Sequence, residues 1–89
     1  MKRTFSFTFW IDDDPRDLLD WSNALYEAGG DDSSPGERSG KPYVAFDREA
    51  TSFEDAVRSA RECVLAAGLR VLRCEIEEAE MHAWPAHAD

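Results

Sequence analysis

The sequence predicts an α+β fold of two layers, with two helices on one face of a four-stranded antiparallel sheet, in the order βαββαβ. Three observations carry this expectation. The run from Thr4 to Ile11 alternates with a period of two in aromatic and β-branched residues, as a strand does. Two later segments, after Asp14-Pro15 and after Ser52, repeat apolar residues at helical spacing. The length of 89 residues, 43% of them hydrophobic, supplies one small core.

The first strand places Phe5, Phe7, Phe9 and Ile11 on one face and Thr4, Ser6, Thr8 and Trp10 on the other. Burial of each phenylalanine contributes roughly 1.5–3 kcal/mol, so this face is the expected core. Asp14-Pro15 then opens a helix, with an aspartate to cap, a proline at the first helical position and Asp17 in the first turn. Leu18, Trp21, Ser22, Leu25 and Ala28 form its inward stripe, and Gly29-Gly30 ends it. The stretch 31–40 is polar and rich in turn residues. Any strand in it is short and at an edge, because Pro35 lacks the N–H that a central strand needs.

Ser39-Gly40 reads as a hairpin turn into a strand over Lys41 to Asp47. Ser52, with Asp55 three residues on, caps a second helix. Its stripe is Phe53, Ala56, Val57, Ala60, Val64 and Ala67, with Glu54–Arg58 and Arg58–Glu62 pairs on the wet side, and Gly68 stops it. A last strand runs from about Leu69 to Glu77, with Leu72, Cys74 and Ile76 inward and Val71, Arg73, Glu75 and Glu77 outward. The expected core thus spans about 3–77 of a single domain covering 1–89. Residues 78–89 form a tail in which Met81 and Trp84 are the candidate anchors. This order is that of the split βαβ, or ferredoxin-like, sandwich, and right-handed crossovers place the first and third strands in the centre.

Charge narrows the function. There are 19 acidic residues against 10 basic ones, for a net charge of −9. Such a surface opposes direct nucleic-acid binding, which needs Lys and Arg to replace condensed counterions, and it opposes anionic membranes for the same reason. The N-terminal apolar run is too short for a signal core and ends in three aspartates, so the sequence predicts no leader and no membrane span, with the cytoplasm as the compartment. Cys63 and Cys74 lack metal or redox spacing.

No catalytic or cofactor motif is present, and the sequence predicts no enzyme, no cofactor and no metal site. Asp12-Asp13-Asp14 and Asp31-Asp32 lack the spacing of a calcium loop and read as caps and solvated turns. His82 and His87 have no third ligand for zinc. Asp47-Arg48-Glu49, where the third strand gives way to the loop before the second helix, is either a docking patch or an internal ion-pair network. The most informative surface is the sheet face without helices, which should carry Thr4, Ser6, Thr8, Trp10, Tyr43, Ala45, Val71 and Arg73. Its candidate partner-binding residues are Trp10, Tyr43, Val71 and Arg73, joined by Asp47 and Arg48. Trp10 is either a contact residue or is covered by the C-terminal tail.

Three segments also resemble a family of uncharacterised bacterial proteins. They are LYEAGGDD from Leu25, GERSGKPYVAFDREA from Gly36 and SFEDAVRSA from Ser52. The most specific part is Phe46 to Ala50 with the helix after it. In that family such a domain precedes a helix-turn-helix, whereas here the closing residues are EMHAWPAHAD. The resemblance therefore implies a regulatory or partner-binding domain and not DNA binding by this chain. The leading expectation is a non-enzymatic interaction module that binds a protein partner or itself through the open sheet face. A small-ligand sensor or small enzyme, and an acidic decoy that inhibits a nucleic-acid-binding protein, are the alternatives.

Overall fold

A computed structural model describes residues 2–76. The elements are β1 (Arg3–Ile11), α1 (Leu18–Glu27), β2 (Ser33–Arg38), β3 (Lys41–Ala50), α2 (Phe53–Ala66) and β4 (Val71–Ile76). The strands form one sheet in the order β2-β3-β1-β4, with every neighbouring pair antiparallel. The two aromatic-rich strands hold the centre and the proline-bearing strand an edge, as the sequence predicts. Glu77, Met81, His82, Trp84 and His87 lie outside the described residues.

The core follows from the alternation of β1. Phe5, Phe7, Phe9 and Ile11 are buried with Val44, Phe46 and Ala50 of β3. Trp21 and Leu25 of α1, and Phe53, Ala56, Ala60 and Val64 of α2, close over them, so both helices lie on one face. Phe7 stacks on Phe46 at 5.8 Å between ring centroids, and Phe53 meets the edge of Phe5 at 5.2 Å. Such pairs add about 0.5–1.5 kcal/mol beyond the area they bury. The wholly buried Ala56 and Ala60 keep the α2 backbone close to the strands. Ser52 caps α2 by accepting from the backbone N–H of Asp55 at 3.1 Å. Arg58 turns back to Asp55 and Glu54.

Three sequence expectations are corrected. First, α1 begins at Leu18 with Asp17 as its cap, not at Asp14-Pro15. Asp14 is engaged elsewhere. It accepts from the backbone N–H of Arg16 (2.9 Å), from Arg16 Nε (2.8 Å) and Nη2 (3.0 Å), and from the Trp21 indole N–H (3.3 Å). Arg16 Nη1 in turn donates to the carbonyl of Ala67 (3.0 Å), tying the β1–α1 connection to the end of α2. Leu18, at the first helical residue, is 42% exposed, and Ser22 is exposed, whereas Ala24 packs against the core.

Second, β3 continues past Asp47 through Arg48 and Glu49 to Ala50, where the sequence suggested a loop. The nine residues of β1 supply pairing positions as far as Arg3↔Ala50. Third, the inward and outward assignments at the start of β4 are reversed. Trp10 pairs with Arg73 but Ile11 pairs with Val71, so Leu72 is the extra residue of a bulge. Val71 therefore packs against the core and Leu72 is 61% exposed, while Cys74 and Ile76 still face inward.

The hydrogen bonds from Arg16 hold the Asp14 carboxyl well below the usual carboxylate range. A folded-state value below the unfolded one stabilises the fold above the unfolded value, and this contribution is lost as pH falls through the folded one. Asp14→Asn should therefore be less stable than the native chain at neutral pH. The gap should narrow as pH drops below about 4, the ordinary aspartate value. Urea midpoints measured across this range check the sign.

Candidate functional site

The sheet face opposite the helices is ordered by its register. Gly36, Tyr43, Trp10 and Arg73 form one row across the four strands, and Ser34, Ala45, Thr8 and Glu75 form the next. Beyond these come Asp47 beside Ser6 and Glu49 beside Thr4; at the opposite end Arg38 stands beside Lys41. Alternation along each strand places all of them on the face opposite the phenylalanines.

Trp10 and Tyr43 meet edge to face at 5.5 Å. The Arg73 guanidinium lies 5.1 Å from the Trp10 ring centre, and that of Arg38 lies 5.9 Å from the centres of both rings. The Trp10 indole N–H donates to Glu75 Oε1 at 2.9 Å. Trp10 is consequently only 8% exposed: it is the floor of the site, and the cations and Tyr43 are its reachable parts. Gly36 makes this arrangement possible. A Cβ there would come within 2.5 Å of the Tyr43 ring, so the glycine gives the ring its seat on the edge strand. Ser39 and Gly40, with φ of 53° and 76°, form the two-residue turn that fixes the Arg38–Lys41 pair.

The electrostatics divide this face. Arg38, Lys41 and Arg73 form no ion pair with a carboxylate among the described residues. Lys41 and Arg73 line a groove of about 410 Å³ together with Trp10, Leu72, Asp12 and Asp13. At the other end Asp47 and Glu49 are exposed, and Asp47 accepts from the Ser6 hydroxyl at 2.6 Å.

The candidate residues thus separate. Trp10, Tyr43 and Arg73 come together on the open face, and Asp47 lies at its acidic end. Val71 is turned into the core by the bulge. Arg48 faces the helices, where Nε and Nη2 grip both oxygens of Asp32 at 2.8 Å. It also donates to the Gly29 carbonyl (3.1 Å), to Ser59 Oγ (3.2 Å) and to Cys63 Sγ (3.5 Å). Asp32 raises the Arg48 pKa further, against the opposing effect of burial. The internal ion-pair network is the reading these contacts describe. Arg38, Lys41 and Glu75 were not among the sequence candidates, and Glu49 was one only as part of the Asp47-Arg48-Glu49 patch. The hairpin register carries the signal for the first two, since a two-residue turn at Ser39-Gly40 sets Arg38 and Lys41 on the face of Tyr43.

The described residues offer little else for chemistry. No group of three or more His, Cys, Asp or Glu side chains among them is placed to hold a metal ion. Burial pushes the Cys74 thiol up to about 11, far from the range of a thiolate nucleophile at neutral pH. No helix among the described residues is long and apolar enough to cross a membrane. No family model matches the chain, and neither curated proteins nor solved structures give a match.

Arg48→Met should cost about 2–3 kcal/mol. That is below the 3–5 expected for breaking a fully buried pair, because Asp32 keeps contact with water. Denaturant melts of this variant, beside Asp32→Asn and the double substitution, check the coupling.

Proposed function

We propose that this chain is a cytoplasmic, non-enzymatic interaction module of ferredoxin-like fold whose open sheet face docks an acidic segment of a protein partner. The observation that carries the reading is the cluster of Arg38, Lys41 and Arg73 around Trp10 and Tyr43. These cations have no carboxylate partner among the described residues, in a chain whose net charge is −9. Acidic side chains elsewhere are abundant enough to neutralise them, yet Glu75, two residues beyond Arg73 on the same face, accepts from the Trp10 indole N–H.

Guanidinium groups resting on aromatic faces are partly oriented before a ligand arrives, which lowers the ordering cost of binding a carboxylate. The long-range repulsion of an acidic partner is screened beyond about 8 Å at physiological ionic strength, so the local cations decide the contact. The family resemblance over Leu25 to Ala60 agrees with a regulatory or partner-binding role.

Calorimetric titration with a glutamate-rich peptide tests this. Saturable binding is expected for the native chain, at least about tenfold weaker for Arg38→Glu, Arg73→Glu. Binding of a lysine-rich peptide of equal length should not be weakened by the same double substitution. Absence of glutamate-peptide binding, or binding indifferent to the double substitution, would contradict the proposal.

A further inference from the structure

The open face carries both halves of a charge-complementary surface, and we infer that its partner is a second copy of this chain, docked face to face across a two-fold axis. This rests on the proposed docking role of the face and names the occupant. Along β3 the outward residues run Lys41, Tyr43, Ala45, Asp47, Glu49, so positive charge and negative charge lie at equal distances from Ala45. The cationic end is reinforced by Arg38 beside Lys41, and both acidic residues are exposed.

A two-fold axis that lies between the faces and crosses the strands at Ala45 and Thr8 reverses the strand direction in the second copy. Lys41 of each copy then stands over Glu49 of the other. Tyr43, with the Arg38 guanidinium beside its ring, stands over Asp47. The same contact is made twice, as an isologous interface requires. The row at the axis is Ser34, Ala45, Thr8 and Glu75; the first three are small, and Glu75, at the β4 end, accepts from the Trp10 indole N–H. Over β2, β3 and β1 two sheets can therefore approach to the spacing of about 10 Å seen in stacked sheets. A two-fold axis parallel to the strands would instead put cations on cations and carboxylates on carboxylates. The charge order along β3 thus selects the first of these two orientations.

Sedimentation equilibrium with charge-swapped chains tests this directly. The native chain should show a reversible monomer–dimer equilibrium. Arg38→Glu, Lys41→Glu makes both ends acidic, and Asp47→Lys, Glu49→Lys makes both ends basic. Each variant alone should dimerise at least about tenfold more weakly. An equimolar mixture should restore the dimer, because each end of one variant then faces its opposite on the other. Far-ultraviolet circular dichroism of each variant verifies that it is folded.

A native chain that stays monomeric across the concentration range overturns the inference, as does a dimer indifferent to both swaps or a mixture that stays monomeric. A monomeric native chain that still binds the glutamate-rich peptide overturns the self-pairing alone. One that does neither removes the docking role as well.

Discussion

The packing of Phe5, Phe7, Phe9 and Ile11 beneath the two helices is the constraint from which the rest follows. These residues alternate along a central strand, so their burial on one side commits the intervening residues to the other. A slip of one residue would drive Thr4, Ser6 and Thr8 under the helices and expose four large apolar side chains, at a cost of several kcal/mol. Register is therefore fixed strongly, and with it the placement of Trp10 beside Tyr43 and Arg73. The composition of the outer face is read from the same strand that builds the core.

Two arginine–aspartate braces join the layers at opposite ends. Asp14 and Arg16 link the end of β1 to the last turn of α2 through the carbonyl of Ala67, and Arg48 with Asp32 links β3 to the end of α1 and to the side of α2. Both use guanidinium groups against carboxylates and backbone carbonyls, a geometry that lysine could not reproduce with its single ammonium. Because these arginines are engaged within the fold, they are unavailable as docking charges. Arg38, Lys41 and Arg73, on the sheet face opposite the helices, are not engaged in this way among the described residues. The exposed Leu19 and Tyr26 on α1 are apolar but carry no comparable charge order, and isolated surface apolar residues are ordinary.

Much of this was legible in the sequence, for physical reasons specific to each element. Aromatic alternation identified β1, serine with Asp55 marked the start of α2, and Pro35 assigned β2 to an edge. What escaped depended on contacts between residues distant in the chain. Asp14 looks like a helix cap until Arg16 and Trp21 are seen to occupy it. Arg48 looks like a loop charge until Asp32 and Gly29 are brought beneath it by the turn after α1. Val71 looks outward-facing because a bulge leaves no trace in a period-two pattern. Trp10 was placed on the correct face, but its low exposure depends on Arg38, Arg73 and Tyr43, which only the register brings together.

Amide nuclear magnetic resonance followed across a wide dilution series tests the central claim, that the open sheet face pairs with itself, most directly. Resonances that move on dilution should map to the outward residues of β1 and β3, together with the Trp10 indole N–H, while those on the outer sides of both helices stay fixed. Shifts confined to the helix exteriors around Leu19, Tyr26 and Leu65, or a spectrum that does not change with concentration, would contradict it.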